Sequence, residues 1–167
     1  MKNLFKITLL FSVFFISFSN AQDKKESPAE SVTGEINYAR ITIKYGSPSV
    51  KGREIWGALV PYGEIWRAGA NNATTFETNK DLNIEGSKLP AGKYTFFVIP
   101  NKENSVLIFN KVQEQWGAYK YEESKDILRI TVKQKESKFN TEKLVYKINN
   151  DNIILSWEKW DIGFSVK

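Results

Sequence analysis

Apolar and polar side chains alternate in short runs from Ile36 to the end of the chain, and this period of two restricts the fold more than any other feature. In "ILRITVK", for example, Leu128, Ile130 and Val132 share one face of a strand. About ten such runs follow one another, with turn residues between them and no long amphipathic helix. The pattern predicts an all-β fold with little helix, an antiparallel β-sandwich or a flattened barrel of about ten short strands.

One of these runs is apolar on both of its faces. In "KLPAGKYTFFVIP", Tyr94 and Phe96 lie on one face, whereas Phe97 and Ile99 lie on the other. A strand of this kind needs cover on both sides, so we predict that it lies in the middle of a sheet, with "SVLIFN" as its partner. Another run, "INYARITIKY", changes phase halfway, which predicts a β-bulge at residues 39–40.

The N-terminal residues 1–21 have the pattern of a signal peptide. A basic start is followed by the apolar run "ITLLFSVFFISFS" and by a small residue, Ala21. This predicts cleavage after Ala21 and a periplasmic or secreted protein, with no membrane span after cleavage. A retained N-terminal anchor is the alternative. We expect residues 22–34, which are polar and lack periodicity, to be a flexible linker, and residues 35–167 to be one β-sandwich domain.

The composition excludes several kinds of chemistry. The chain contains neither His nor Cys, so imidazole-based triads, thiolate nucleophiles and His or Cys metal sites are impossible. It has no glycine-rich phosphate-binding motif. Its positive charges are interspersed with acidic residues despite a formal net charge of +5, which argues against a nucleic-acid partner. We therefore expect no metal and no cofactor, and a non-catalytic exported domain that binds a small or glycan-like ligand or an envelope partner, rather than an enzyme.

Two long segments, 46–72 and 111–126, interrupt the alternation. Both are rich in aromatic residues, and irregular segments of this length in a compact domain are usually functional. A tryptophan offers an apolar ring face, an arginine a planar fork of donors, and an asparagine a paired donor and acceptor. The segments contain the candidate ligand-binding residues, which are Trp66, Arg67, Asn71, Asn72, Trp116, Tyr119, Lys51 and Arg53. In this interpretation Trp116 and Tyr119 form the wall opposite Trp66.

Three alternatives remain open at this point. In the first, the tryptophans only plug one end of the sandwich, and Arg67 pairs with a buried carboxylate such as Asp126. In the second, the protein is a carboxylate-dependent glycan hydrolase that uses two of the side chains of Glu54, Glu64, Glu77 and Asp126. In the third, an exposed sheet edge or apolar patch makes the domain a protein-interaction module. Trp157, in phase with its apolar neighbours, is expected in the core.

The segment "YGSPSVKGREIWGALVPYGEIWRAGANNATT" resembles a bacterial family, the domain of unknown function 2911, which is frequent in exported Bacteroidetes-type proteins. The resemblance continues in "KLPAGKYTFFVIP", "QWGAYKYEESKDILRI" and "LSWEKWDIGFSV", and covers nearly all of residues 36–166. Two positions differ from the family pattern: Ser47 stands in place of an Arg, and Asn72 in place of a Glu. The resemblance implies a fold and an exported location for the protein, and no particular reaction.

Overall fold

The computed structural model describes residues 26–167, so the predicted signal peptide and residues 22–25 lie outside the described residues. The described part of the chain forms ten β-strands and a single turn of 3-10 helix at Glu123–Lys125. The strands are β1 (Ala29–Ile36), β2 (Ala39–Gly46), β3 (Thr75–Thr78), β4 (Leu82–Ile84), β5 (Ser87–Leu89), β6 (Gly92–Pro100), β7 (Ser105–Asn110), β8 (Asp126–Val132), β9 (Lys135–Ile148) and β10 (Asn152–Ser165). No helix within residues 26–167 is long and apolar enough to cross a membrane.

All strand pairs are antiparallel, which confirms the predicted all-β class. Six strands form one sheet in the order β1-β2-β3-β6-β7-β8, while β9 with β10 and β4 with β5 form two separate hairpins. The sheets of the described chain do not close into a barrel, so the sandwich is the correct alternative. As predicted, β6 is an inner strand, paired with β3 on one side and with β7, the "SVLIFN" segment, on the other.

The β9–β10 hairpin and the six-stranded sheet share one hydrophobic core. The Phe96 ring, from the sheet, lies 6.0 Å from the Phe164 ring and 6.3 Å from the Tyr146 ring, both from the hairpin. On the opposite face of β6, Phe97 is fully buried and packs with Ile108. No strand within residues 26–167 covers that face. The irregular segments lie over it instead, because β6 buries apolar side chains on both sides.

Two local predictions at the start of the domain are wrong. Asn37 and Tyr38 both have positive φ and form a two-residue hairpin turn between β1 and β2, so the phase change is not a bulge. Residues 29–34, expected in the linker, belong to β1. This strand packs on the hairpin so closely that a Cβ on Gly34 would lie 2.7 Å from the Ile148 side chain.

Candidate functional site

The segment that carries Trp66 is attached to the end of β6. β3 pairs with β6 only as far as Thr75, and residues 63–66 continue along the same side of the strand. Trp66 and Val98 exchange two backbone hydrogen bonds of 2.9 Å, and the Gly63 N–H donates to the Pro100 carbonyl. Trp66 therefore occupies a strand-like position, and its side chain shares the face of Val98, toward the core.

The next residues form a strained and tightly held loop. Ala68, fully buried, has a φ of 53°, a conformation that costs a non-glycine residue about 1 kcal/mol or more. Its carbonyl accepts hydrogen bonds from the Thr74 hydroxyl at 2.9 Å and from the Tyr146 hydroxyl at 2.8 Å. The loop also touches the end of β2, where a Cβ on Gly46 would lie 2.1 Å from the Ala70 carbonyl oxygen. These contacts give the loop a single, rigid backbone conformation.

The Trp66 indole is part of a cluster of five aromatic rings. It stacks on Trp157 with 5.8 Å between ring centroids and meets Trp56 edge-on at 5.6 Å. Trp56 in turn stacks on Trp160, and Trp160 stacks on Tyr62. Trp157 is 1% exposed, as expected for a core residue. Trp66 is only partly buried, so the cluster both fills the end of the sandwich and presents part of an indole at the surface.

A cleft of about 420 Å³ opens beside this cluster. The apolar part of its lining consists of Leu59, Val60, Pro61, Ile65, Trp66 and Trp157. The charged part consists of Lys51, Arg53 and Arg67, together with Glu26 and Glu64. We call this space the Arg67 cleft. Five of the predicted site residues, which are Lys51, Arg53, Trp66, Arg67 and Asn71, thus border one cavity whose volume suits a small molecule.

Arg67 is half-buried and has no ion pair among residues 26–167. Its Nε is buried and has no hydrogen-bond partner. Within residues 26–167, no carboxylate oxygen lies within 4.0 Å of its guanidinium. The expected partner Asp126 instead pairs with Arg129 at 2.9 Å and accepts a hydrogen bond from the Tyr121 hydroxyl at 2.7 Å. The alternative in which Asp126 neutralises Arg67 is therefore wrong.

The other two cations of the cleft already have contacts. Lys51 Nζ lies 2.8 Å from Glu26 Oε1, in an exposed ion pair. The hydrogen bond from Lys51 and its charge, with a smaller effect of the Arg53 charge, lower the pKa of Glu26. Arg53 turns back toward the chain, where its Nε donates to the Val50 carbonyl at 3.0 Å. Of the three cations, Arg67 alone has neither a carboxylate nor a hydrogen-bonded Nε among the described residues.

Trp116 and Tyr119 do not form the opposite wall of this cleft. Trp116 pairs with Asn72 through a backbone bridge and borders a second cleft of about 510 Å³, which we call the Trp116 cleft. Tyr119 is 85% exposed and borders neither space. Asn71 and Ser27 border both clefts, and the Asn71 side-chain amide donates to the Ser27 carbonyl at 3.1 Å. Apart from Tyr119, the candidate residues are therefore divided between two adjacent clefts.

The segment Glu26–Pro28 separates the two clefts, and the sequence did not predict this role. Besides the Asn71 contact to Ser27, the Ser47 N–H donates to the Pro28 carbonyl at 2.8 Å. We had expected these residues in a flexible linker, because their composition is polar and lacks periodicity. Their partners lie far away in the sequence, so no local signal could have identified the contact.

The carboxylates considered for hydrolysis lie in different surroundings. Glu64 borders the Arg67 cleft, whereas Glu54 borders a third cleft next to Trp160. Glu77 is exposed on β3, and Asp126 is held by its hydrogen bonds. No group of three or more acidic residues in the described chain is arranged to hold a metal ion.

The pKa shifts of carboxyl groups that can be assigned are all downward. They occur at Glu26, Asp81 and Glu114, and each is caused first by a hydrogen bond from a lysine. A general acid would need a shift in the opposite direction.

Comparison with known proteins gives one match. The model of a family described as "Protein of unknown function (DUF2911)" matches residues 27–166. No curated protein and no solved structure matches the chain. The matched region begins ahead of β1 and ends at the last buried residue, so it contains the whole sandwich and the lining of both clefts except Glu26.

Proposed function

The chain belongs to the DUF2911 family of proteins of unknown function, and we propose that it is an exported, non-catalytic domain that binds a small or glycan-like ligand in the Arg67 cleft. The proposed export rests on the signal-peptide pattern of residues 1–21. The proposed binding rests on the cleft itself.

The observation that carries the proposal is that Arg67 has a buried Nε without a hydrogen-bond partner and no carboxylate within 4.0 Å among residues 26–167. A buried donor without an acceptor costs about 1–3 kcal/mol. The Arg67 Nε is such a donor, and it lies in a loop whose backbone is strained at Ala68 and fixed by three hydrogen bonds or close contacts. Unsatisfied polar groups and backbone strain in the same loop are typical of a site that a ligand completes.

The remaining features of the cleft support a small ligand with an apolar or ring-shaped body. Its volume of about 420 Å³ is within the usual range for small-molecule sites. The partly exposed Trp66 offers an apolar surface against which a sugar or aromatic ring can pack. Because Trp66 is supported from behind by Trp157, this surface is already in position before a ligand arrives.

Calorimetric titration of the purified exported protein with a panel of oligosaccharides and small metabolites tests the proposal. We expect at least one compound to bind, and Arg67→Gln to weaken that binding at least tenfold, roughly the effect of losing a charged hydrogen bond. Arg40→Gln is the matched control, since Arg40 is exposed on β2 and lies outside the cleft. If no compound binds, or if both variants weaken binding equally, the Arg67 cleft is not a ligand site.

The glycan hydrolase gains no support from the geometry. Two carboxylates must lie about 5 to 9.5 Å apart across one substrate. Glu54 and Glu64 border different clefts, and Asp126 is held by Arg129 and Tyr121. The third alternative, a protein-interaction module with an exposed sheet edge or apolar patch, stays a prediction.

A further inference from the structure

We infer that the ligand of the Arg67 cleft is an anion, a carboxylate on an apolar or ring-shaped body, which binds by replacing the Glu26 side chain at Lys51. This inference rests on the proposed function and specifies the ligand's chemical class. It also assigns a role to Glu26, that of an internal occupant of the site. Two classes of compound carry a carboxylate on a ring: the uronate unit of an acidic glycan and a free ring-bearing carboxylic acid.

The charge balance of the cleft favours an anion. Three cationic side chains, Lys51, Arg53 and Arg67, border the same space as two carboxylates, Glu26 and Glu64. Within the described residues, Glu64 lies more than 4.0 Å from every lysine and arginine nitrogen, so it compensates none of the three directly. An incoming carboxylate would supply the missing charge.

Glu26 demonstrates that this cleft holds a carboxylate. Its Oε1 contacts Lys51 Nζ at 2.8 Å, and it also lies in the field of Arg53. The side chains of this pair remain 86% and 55% exposed for Glu26 and Lys51 respectively. Exposed ion pairs contribute little to stability because water solvates and screens both charges. A ligand carboxylate can therefore take the place of Glu26 at small cost.

The backbone of Glu26–Pro28, which we call the dividing segment because it lies between the two clefts, does not have to move when a ligand replaces the Glu26 side chain. Ser27 and Pro28 are held through their carbonyl oxygens by Asn71 and by the N–H of Ser47, whereas among residues 26–167 the Glu26 side chain is attached only to Lys51. Rotation of one exposed side chain therefore frees Lys51 while the wall between the two clefts stays in place.

Arg67 gives the site its preference for a carboxylate over other acceptors. A guanidinium presents parallel N–H donors that match the two oxygens of a carboxylate, whereas a lysine acts as a point charge. Among the described residues no carboxylate takes up this fork. The apolar wall at Leu59, Val60 and Trp66 then receives the body of the ligand.

The test compares a uronate-containing oligosaccharide with the same oligosaccharide after its carboxyl groups have been reduced to hydroxymethyl groups. Benzoate and cyclohexanecarboxylate form a second arm that represents free ring-bearing acids. In titration calorimetry at low salt, we expect one of the two acid arms to bind at least about tenfold tighter than the reduced oligosaccharide, as befits a charge-assisted contact. The acid that binds more tightly shows whether the ligand is an acidic glycan or a free ring-bearing acid.

The outcomes separate this inference from the proposed function. If the reduced oligosaccharide binds as tightly as the acids, the cleft binds ligands but does not select anions. In that case the inference is overturned and the proposed function stands. If neither the acids nor the reduced oligosaccharide binds, both are overturned.

Variants test the exchange at Lys51. Glu26→Gln removes the competing charge, so we expect acids to bind roughly threefold tighter, the scale of an exposed ion pair, and the neutral compound to bind unchanged. Arg67→Gln should abolish the preference for the acid, and Arg40→Gln should leave it intact. If Glu26→Gln instead weakens acid binding, Glu26 contacts the ligand rather than competing with it, and the exchange is wrong.

Discussion

Two arginines of this protein, Arg129 and Arg67, have opposite surroundings. Arg129 Nη1 lies 2.9 Å from Asp126 and 3.3 Å from Glu123, and it donates to the Tyr121 hydroxyl at 2.9 Å. Arg67 has no carboxylate within 4.0 Å in the described chain, and its Nε is buried without a partner. The charge of Arg129 is thus neutralised by neighbouring carboxylates, whereas the charge of Arg67 has no such partner.

This difference separates a structural region from a candidate functional one. At Asp126 the polar groups satisfy one another, because Asn110 and Tyr121 donate to the same carboxylate as Arg129. Such a network stabilises the fold and has no capacity left for a ligand. At Arg67 the protein bears the cost of an unsatisfied donor, and no carboxylate of the described chain neutralises the guanidinium.

Removal of the carboxylate at the centre of the satisfied network should have the largest effect. Asp126→Ala leaves the Tyr121 hydroxyl without its acceptor and the Asn110 amide with only the Glu122 carbonyl, and the Asp126 side chain is only 6% exposed. We expect the free energy of unfolding to fall by about 3 kcal/mol, measured by urea denaturation. Glu77→Ala, on the exposed face of β3, is the control and should change it by less than about 0.5 kcal/mol. Equal losses of unfolding free energy in both variants would mean that the hydrogen bonds around Asp126 do not stabilise the fold more than an exposed residue does.

The same network should make stability depend on pH in the alkaline range. Burial, together with the hydrogen bond to Asp126, raises the pKa of Tyr121 to about 12. Since the unfolded tyrosine titrates near pH 10, its contribution is present below about pH 10 and is lost as the pH rises toward 12. In Tyr121→Phe, the decline in unfolding free energy between these values should be shallower than in the wild type.

Other tyrosines titrate in the same range and define the background of that experiment. Burial also raises the pKa values of Tyr45, Tyr94 and Tyr146, and these three contribute equally in both proteins. Parallel curves for wild type and Tyr121→Phe would contradict the role given to Tyr121.

Substitution of the unmatched arginine should affect stability much less. Arg67→Met keeps an apolar stem of similar length and removes a buried donor that has no acceptor. We expect the free energy of unfolding to change by less than about 1 kcal/mol, or to rise, in the same denaturation assay. A loss as large as that of Asp126→Ala would show that Arg67 is a structural residue, and the contrast between the two arginines would disappear.

The smallest effect is expected at the exposed ion pair of the cleft. Glu26→Gln breaks the contact with Lys51, but both side chains are solvent-exposed. The denaturation midpoint should therefore stay the same within error, although binding of acids improves. A clear drop in the midpoint would mean that Glu26 fastens the dividing segment rather than occupying the ligand site.

Local sequence pattern was enough to predict the centre of the fold. The run that contains Phe96 and Phe97 is apolar on both faces, and it forms the inner strand β6. The pattern failed where the signal was weak: Asn37-Tyr38 is a hairpin turn that lacks the usual glycine, and β1 is too polar to stand out from a linker.

The site was predictable only in part, because long-range contacts define its boundaries. The sequence singled out Trp66 and Arg67 through their unusual loop. It did not indicate that Glu26–Pro28 divides the region into two clefts. The expected pairing of Arg67 with Asp126 overlooked a closer partner, since Arg129 is three residues from Asp126 on the same strand.

The central claim is that Arg67 is held ready for a ligand while Arg129 is already satisfied. The chain has four arginines, so the Nε–H signals of a ¹⁵N-labelled sample are few and can be assigned with single Arg→Lys variants. Titration with the uronate-containing oligosaccharide, or with benzoate if that acid binds more tightly, should shift the Arg67 signal and leave the Arg129 signal in place. An Arg67 signal that does not move when binding is saturated, or a shift at Arg129 instead, would contradict the account.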